Sequence, residues 1–377
     1  ALKTGKPVRM TYSRNETMQS TTKRHPAQIR IKVGANADGT LSGLRFDGDF
    51  NTGSYASWGP TVANRVPVHA SGPYYIPDYR AQSRAVHTHC PPSGAFRGFG
   101  VPQSAIAQET VFDLLAEKLG MDALDFRLKN ALSDWVRTVC GQVFPQGVGI
   151  RQCLEALRPA WEAAKIECAA FNDRNSAVKR GVGLASAWYG CGNTSLPNPS
   201  TIKAGLRGDG TIVLHQGAMD IGQGSNTVIP QIFAKALGVS VSDITVVGAD
   251  TDITPDAGKT SASRQTFVSG NAALKAGEAL RADILRQVNA GPTAQIIAKD
   301  RRINVMDGPH SQTLDLSRLS PNDQGYVLMA QETYDPPVKP LDENGQGEPY
   351  AQFGYAAQLV VVEVDIALGL CKPLRFV

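Results

Sequence analysis

The sequence predicts a mixed α/β protein with layered sheets and helices, because strand patterns and helix patterns alternate along its 377 residues. Apolar residues at helical spacing, such as Ile106, Leu115 and Leu119, indicate amphipathic helices, and shorter alternating segments indicate strands. A content of 42% hydrophobic residues is typical of a globular chain. This length fits two domains or one large mixed domain. We predict two, with the boundary between residues 170 and 171, giving domains 1-170 and 171-377.

The first half of the chain contains strand patterns followed by helix patterns. Strands are predicted at residues 7–13, 28–33, 41–46 and near Ala85, with a hairpin between the second and third. Residues 47–80 are rich in Gly, Pro, Asn and Ser, which predicts a long irregular segment. Helices are predicted at residues 102–119, 122–132 and 151–170, the last with Pro159 inside it.

The second half repeats the mixture of strands and helices. A strand is predicted after Arg180, followed by a hairpin over residues 201–216 that turns at Gly208-Asp209-Gly210. Helices at residues 227–237 and 268–288, a strand at 244–247 and strands towards residue 377 complete the pattern. Residues 300–345 receive no functional interpretation.

Charge and cysteine content exclude several classes of protein. A formal net charge of +4 is too small to hold a polyanion by counter-ion release alone unless one face is strongly asymmetric, so nucleic acid is not an expected partner. The six Cys residues form no C-x-x-C pair, which favours reduced thiols and a cytoplasmic location. Polar residues interrupt the most apolar stretch, residues 353–370, so we expect no membrane span.

Three Gly-rich segments are candidates for a binding site, namely residues 93–100, 219–225 and 258–265. Backbone N–H groups at helix starts bind anions, and Gly lets a ligand approach the main chain closely. Hydroxyl and amide side chains in the second and third segments add donors and acceptors. Together the segments predict a site for a large polar ligand that carries phosphates, although each one alone also fits an ordinary turn or N-cap.

The same segments resemble those of the molybdenum hydroxylases, the xanthine dehydrogenase and aldehyde oxidoreductase family. The resemblance rests on Ala95-Phe96-Arg97-Gly98-Phe99-Gly100 with Pro102-Gln103, on Gly222-Gln223-Gly224, and on the segment from Thr260 to Gln265, in that order. It covers most of the chain and implies the layered molybdopterin-binding domains of that family. Residues 1-170 would form the C-terminal portion of a first molybdopterin-binding region and residues 171-377 the N-terminal portion of a second.

The resemblance implies a molybdopterin cofactor with molybdenum, in its cytosine dinucleotide form if the source is bacterial, and no direct protein ligand to the metal. The implied cofactor-binding residues are Arg97, Gly98, Gly222, Gln223, Gly224, Thr260, Ser261, Ala262, Ser263, Arg264 and Gln265. The implied substrate residues are Arg24, Phe99, Tyr189, Asn193 and Thr194. Phe99 and Tyr189 also fit plain core packing, and Arg24 also fits a surface ion pair.

The resemblance also implies partner chains. The family's catalytic base is a Glu in a Gly-Glu segment near the C-terminus of the large subunit, and we expect it beyond the C-terminus of this chain, so no catalytic residue is assigned here. Glu348, in Gly347-Glu348-Pro349, comes too early in the order. No cysteine spacing here can hold iron-sulfur clusters. The implied partners are an iron-sulfur subunit, an FAD subunit and the remaining molybdopterin-binding chain.

The implied function is that of a molybdenum-cofactor-binding subunit or fragment, inactive alone, of a hydroxylase that inserts a water-derived oxygen into an electron-poor carbon. A Phe that stacks on a flat ring and an Arg that stabilises charge on ring heteroatoms favour an N-heterocycle of purine or nicotinate type as substrate. Two alternatives stay open. One is an aldehyde oxidoreductase subunit, and the other is a non-catalytic chain that serves assembly or carries the cofactor.

Overall fold

The computed structural model describes residues 1–299 and 302–377. Over these residues the chain forms seven α-helices and thirteen strands in four sheets, numbered here in chain order, which confirms the predicted mixed α/β class. The chain divides into two compact units. The first unit comprises Ala1–Tyr189, Leu341–Glu348 and Phe353–Val377, and the second comprises Gly190–Pro340 and Pro349–Gln352. The boundary between residues 170 and 171, which concerns the cofactor-binding regions, stays a prediction.

The first unit contains two three-stranded sheets and five helices within the described residues. Its helices are α1 (Arg14–Ser20), α2 (Gly59–His69), α3 (Val101–Lys118), α4 (Ala123–Asn130) and α5 (Ile150–Arg174). Its strands are β1 (Ala27–Ala35), β2 (Leu41–Gly53), β3 (Asp78–His87), β4 (Val178–Gly190), β12 (Phe353–Asp365) and β13 (Leu370–Phe376). The sheets have the orders β1-β2-β3 and β13-β12-β4.

The core of the first unit lies on one face of the sheet β1-β2-β3. Side chains alternate between the two faces of a strand, so Leu44, Phe46 and Phe50 of β2 point to the same side, where they are buried together with Val66 of α2 and Phe112 of α3. β1 and β2 form the predicted antiparallel hairpin, and β3 returns parallel to β2 after α2. The outer face of this sheet is left polar and exposed.

The second unit contains two sheets and two helices within the described residues. Its elements are β5 (Ser200–Arg207), β6 (Ile212–Gln216), α6 (Ser225–Leu237), β7 (Ile244–Gly248), α7 (Gln265–Gln287), β8 (Gln295–Lys299), β9 (Arg302–Asp307), β10 (His310–Thr313) and β11 (Tyr326–Tyr334). The sheets have the orders β11-β5-β6-β7 and β10-β9-β8. Buried residues of α6 and α7, among them Phe233 and Ala276, form its core with β5 and β6.

Two predictions for the first unit are wrong. Residues 7–13 form no strand; instead Ser13 caps α1, because its hydroxyl accepts from the Glu16 amide and the Glu16 carboxylate accepts from the Ser13 amide. Residues 47–80 are not irregular throughout, since β2 continues to Gly53 and α2 occupies Gly59–His69. Pro60 lies in the first turn of α2, where the missing N–H does no harm.

The other predicted helices and strands occur close to their predicted positions, and Pro159 lies inside α5 without ending that helix. Among the described residues, every helix is too short or too polar to cross a membrane.

Candidate functional site

The first Gly-rich segment makes a tight left-handed turn between β3 and α3 in the first unit. Gly98, Phe99 and Gly100 have φ angles of 94°, 50° and 91°. A Cβ atom on Gly98 would lie 2.4 Å from the Pro102 ring, and one on Gly100 would lie 2.8 Å from the Val66 side chain, so both positions require glycine. Phe99 adopts this conformation despite its bulky side chain, and such strain is concentrated at functional sites.

Arg24 holds this turn in place. Its Nη2 donates a 2.6 Å hydrogen bond to the carbonyl oxygen of Arg97, and its guanidinium lies 4.7 Å from the centre of the Phe96 ring. The neighbouring Lys23 forms a β-bridge with Ser93 at the start of the segment. Within the described part of the chain Arg24 forms no ion pair, and it contacts the backbone of a predicted cofactor-binding residue.

Around the same turn lie three buried polar atoms that have no hydrogen-bond partner among residues 1–299 and 302–377. They are Nη1 of Arg24, Nε2 of His25 and Oε1 of Gln103. The Gln103 amide nitrogen donates to the His25 carbonyl oxygen at 2.9 Å, which joins α3 to the segment that carries Arg24. Burial lowers the pKa of His25, so its ring is neutral at pH 7. Leaving such atoms unsatisfied costs free energy, which a polar ligand would recover.

A buried arginine that sequence reasoning missed joins two of the predicted substrate residues. Arg65 of α2 is only 1% exposed, and its guanidinium carbon lies 4.4 Å from the centre of the Tyr189 ring and 5.7 Å from that of Phe99. Trp58 contacts Phe99 edge-on, with 6.2 Å between ring centres. Cation–π attraction therefore orients both rings around one positive charge.

His69, one turn after Arg65, adds no second charge to this cluster. Its Nδ1 lies 2.9 Å from the Arg65 carbonyl oxygen, and its ring centre lies 5.8 Å from that of Tyr189. Burial, followed by the nearby Arg65 cation, lowers the pKa of His69 to about 3. The imidazole is neutral at pH 7, and it packs in the aromatic cluster as an uncharged ring.

In the second unit, the second Gly-rich segment closes on itself. The Asp220 carboxylate accepts hydrogen bonds from the amides of Gly222, Gly224 and Asn226 at 2.8, 3.3 and 3.0 Å, and these bonds lower its pKa. These amides are therefore already hydrogen-bonded to the Asp220 carboxylate, and they are not free to bind the anionic group of a ligand. The exposed Gln223 side chain donates to the Met219 carbonyl oxygen at 2.9 Å and accepts from the Ile221 amide at 2.6 Å.

The third Gly-rich segment lies against the second. The Thr260 hydroxyl donates to the Met219 carbonyl oxygen at 2.9 Å, and the Gln265 amide nitrogen lies 3.2 Å from the Thr260 hydroxyl. Ala262 and Ser263 have φ angles of 56° and 52°, two consecutive non-glycine residues in the left-handed region directly before α7. Ser261 and Ser263 are exposed, and Ser263 lines a cleft of about 440 Å³.

Arg264 has a structural side chain. It is 2% exposed, and its guanidinium donates to the carbonyl oxygens of Asn198 and Pro199 at 2.7 and 2.6 Å and also to that of Ala257. Burial lowers its pKa. The Arg264 side chain therefore holds the third segment in place. Only the backbone of Arg264 can contact a ligand.

The predicted substrate residues of the second unit lie on a loop beside the third segment. The Gly192 amide donates to the Ala262 carbonyl oxygen at 2.8 Å, which brings Asn193 and Thr194 next to the left-handed pair. The Thr194 hydroxyl is hydrogen-bonded to the Tyr350 hydroxyl in a buried position, whereas Asn193 is half-buried. The second unit thus brings together the second and third segments and this loop, and the first unit gathers Arg24, Arg97, Gly98, Phe99 and Tyr189.

Comparison with known proteins connects these segments to one family. A family model described as a molybdopterin cofactor-binding domain matches residues 155–377, and a second model of the same description matches residues 1–131. The chain belongs to the molybdenum hydroxylase family. This confirms the resemblance inferred from the three Gly-rich segments.

Individual members of the molybdenum hydroxylase family match large parts of the chain. The xanthine dehydrogenase molybdenum-binding subunit of Escherichia coli O157:H7 is 36% identical over 289 residues, 74% of this chain and 38% of that protein. The nicotinate dehydrogenase large molybdopterin subunit of Eubacterium barkeri is 43% identical over 155 residues, 41% of this chain and 36% of that protein.

A solved structure agrees with this assignment. The aldehyde oxidoreductase from Desulfovibrio desulfuricans ATCC 27774 has a TM-score of 0.84 at 27% identity, and the match covers 100% of this chain and 39% of that one. The chain therefore spans well under half the length of each of these three relatives.

Proposed function

We propose that the chain is part of the molybdopterin-binding subunit of an oxidoreductase that inserts a water-derived oxygen into an electron-poor carbon of an N-heterocycle of purine or nicotinate type. The observation that carries this substrate class is the Arg65 guanidinium, which lies against the rings of Phe99 and Tyr189. A flat ring can stack on Phe99, and a buried cation stabilises negative charge that develops on ring heteroatoms.

The residues present fit a bound pterin cofactor. Support comes from the unpartnered polar atoms of Arg24, His25 and Gln103 around the first segment, and from the left-handed backbone of Ala262 and Ser263 in the third. We expect Arg97, Gly98, Gln223, Thr260, Ser261, Ser263 and Gln265 to contact the cofactor, with Ala262 and Arg264 contributing backbone groups. Gly222 and Gly224 would contact it through their Cα and carbonyl groups, because their amides are bound to Asp220. The cofactor supplies the oxygen-transfer and electron-accepting chemistry, and the protein supplies its position and electrostatic surroundings.

The proposal extends to the form of the cofactor and to the partners. We propose the cytosine dinucleotide form of molybdopterin, iron-sulfur clusters and FAD on partner chains, a remaining molybdopterin-binding chain as a further partner, and a catalytic Glu outside residues 1–377. Within this chain, Phe99 and Tyr189 orient the substrate ring, Asn193 and Thr194 line the pocket, and Arg65 stabilises the charged transition state. Arg24 acts through the Arg97 carbonyl oxygen, so we assign it the positioning of the first segment together with its predicted substrate role.

Substitution of Arg65 tests the substrate class in the assembled native complex. Removing one donor aimed at developing charge costs about a hundredfold in turnover. We therefore expect Arg65→Gln to lower kcat on a heterocycle by about that factor and Phe99→Ala to raise KM for the heterocycle by about tenfold. For small aldehydes, both kcat and KM should change less. Molybdenum content, measured in the same preparations, separates loss of the cofactor from loss of catalysis. Arg30→Gln is the control for loss of one positive charge, because it removes an exposed guanidinium on β1 that lies outside the residues assigned to the proposed site.

Aldehyde oxidation is the second candidate, favoured by the match to an aldehyde oxidoreductase structure with a TM-score of 0.84. An aldehyde needs neither ring stacking nor a cation beside a ring heteroatom. If Arg65→Gln keeps heterocycle turnover within about a factor of two, the heterocycle assignment is wrong and the aldehyde assignment replaces it.

A further inference from the structure

Three cationic side chains form one row across the outer face of the sheet β1-β2-β3. Lys32 of β1 pairs with Arg45 of β2, and Arg45 pairs with Arg80 of β3. All three are exposed. Neighbouring strands lie about 4.8 Å apart, so three positive charges occupy a strip about 10 Å long. We call these three residues the cation row.

The charges of the cation row are not neutralised within the described part of the chain. No carboxylate of residues 1–299 or 302–377 forms an ion pair with Lys32, Arg45 or Arg80. Asp47 and Asp49, on the same face of β2, are both bound at 2.6 Å by Arg84. Like charges directly opposite each other destabilise a sheet. The three positive charges of the cation row therefore repel one another, and a bound anion would reduce this repulsion.

A cleft lies on the sheet surface beside the cation row. Gly34 and Gly43 face each other in the adjacent position, and these two glycines help to line a cleft of about 620 Å³ together with the three cations. A Cβ atom on Gly34 would lie 2.7 Å from the Ser42 hydroxyl, and one on Gly43 would lie 3.2 Å from the Asp78 carbonyl oxygen, so polar groups border the row on this side. Arg45 and Arg80 can each bind a carboxylate through two parallel N–H groups, which suits carboxylates better than a lysine would.

We propose that the cation row docks a short acidic segment of a partner polypeptide, one that presents two or three carboxylates. Acidic residues border the row on both sides, with Asp78 in the glycine row and Asp47 in the opposite one. A long uniform polyanion such as a nucleic acid would meet these carboxylates, whereas a short acidic segment matches the cation row. The exposed Arg30, paired with Asp47 in the neighbouring row, adds a further positive charge on this face. This docking site lies apart from the residues of the proposed function and does not depend on that function.

Binding of a defined peptide to the purified chain tests this proposal. The probe is a rhodamine-labelled tetraglutamate peptide, followed by fluorescence anisotropy at about 20 mM salt, where screening is weak. Removing one charge contact of this kind weakens binding severalfold, so we expect Arg45→Gln to weaken peptide binding by about three- to tenfold. Arg45→Glu should weaken it by more than about tenfold, and Arg45→Lys, which keeps the charge, should retain most of it. Lys372→Gln on the exposed strand β13 is the control for loss of one positive charge.

Three results would overturn the docking site. The first is equal weakening by Lys372→Gln and Arg45→Gln, which would mean that only net charge attracts the peptide. The second is full displacement of the peptide by about 10 mM inorganic phosphate, which would assign the row to a small oxyanion instead. The third is tighter binding of a short oligothymidine strand that the same Arg45 variants remove, which would assign it to a nucleic acid. Far-ultraviolet circular dichroism of each variant confirms that the sheet is intact.

Discussion

At the scale of single residues, backbone strain coincides with the predicted cofactor segments. Phe99, Ala262 and Ser263 are non-glycine residues with φ between 50° and 56°. A left-handed conformation costs a non-glycine residue about 1 to 2 kcal/mol. All three lie in Gly-rich segments that resemble the family's cofactor-binding sequences. Among the described residues, five non-glycine residues outside these segments also have a positive φ, so strain agrees with a ligand site here but does not by itself locate one.

Loss of polar side chains from these segments should reduce cofactor loading. Gln223→Ala and Ser263→Ala each remove a polar group at the exposed edge of the second and third segments, and we expect both variants to purify with less molybdenum while remaining folded. Metal analysis of the purified protein measures this. Gln312→Ala and Ser311→Ala, on the exposed strand β10 of the same unit, are matched controls and should keep their metal. Full metal content in both segment variants would contradict the cofactor assignment.

The neutral His69 should make stability depend on pH. Its folded pKa of about 3 lies below the ordinary value of 6.5, so the unfolded chain binds a proton more readily than the folded one. The stabilisation is complete above pH 6.5 and is lost as the pH falls towards 3. At about 1.4 kcal/mol for each pKa unit, lowering the pH from 7 to 5 should cost about 2 kcal/mol through this group.

Urea unfolding at both pH values measures this cost. His69→Gln should lose about 2 kcal/mol less than the unsubstituted chain between pH 7 and pH 5. The pKa values of His25 and His215 are also lowered by burial, but both residues are present in the two proteins compared, so their effects cancel. Equal losses in the two proteins would show that His69 takes up its proton without unfolding.

At the scale of elements, the helices and strands that the sequence predicted correctly are those with a clear hydrophobic periodicity. The hairpin of β1 and β2 and the helices α3, α6 and α7 follow from alternation, helical spacing and turn residues. The helix α2 was missed because Gly, Pro, Asn and Ser dominate the composition of residues 47–80, although Val62 and Val66 are buried at helical spacing. Because α2 was missed, Arg65 was missed as well. The burial of an arginine beside two aromatic rings depends on contacts between distant parts of the chain, which sequence periodicity does not report.

A close helix contact in the second unit depends on one glycine. A Cβ atom on Gly277 of α7 would lie 2.9 Å from the Phe233 carbonyl oxygen and 2.7 Å from the Ala236 side chain, both in α6. Alanine favours a helix over glycine by about 1 kcal/mol, but overpacking costs about 1 to 3 kcal/mol. We expect Gly277→Ala to lower the free energy of unfolding by about 1 kcal/mol or more, as urea denaturation would show. Glu278→Ala, exposed on the same helix, should change it little, and a stabilised Gly277→Ala would mean that the two helices separate easily.

At the scale of the whole molecule, the family could be predicted from three short segments, but the chemical role of each side chain could not. Arg264 and Asp220 show why. Arg264 serves the backbone carbonyl oxygens around Asn198, and Asp220 occupies the loop amides that the sequence suggested for an anion. A Gly-rich pattern predicts where the backbone turns, whereas the identity of the acceptor of each N–H group is decided by tertiary packing.

The proposed function predicts that catalysis appears only in an assembled complex. In this proposal, residues 1–377 hold a cofactor and orient a substrate, and the general base, worth about 10² to 10⁴ in rate, lies outside them together with the route for electrons. The purified chain, loaded with cofactor and given an artificial electron acceptor, should show no measurable hydroxylation. Addition of a partner chain that carries the Gly-Glu segment should restore turnover. Replacing that Glu by Gln should lower the turnover rate by about a hundredfold or more. Turnover by this chain alone would contradict the proposal, because it would require a base among residues that the present assignment leaves without a catalytic role.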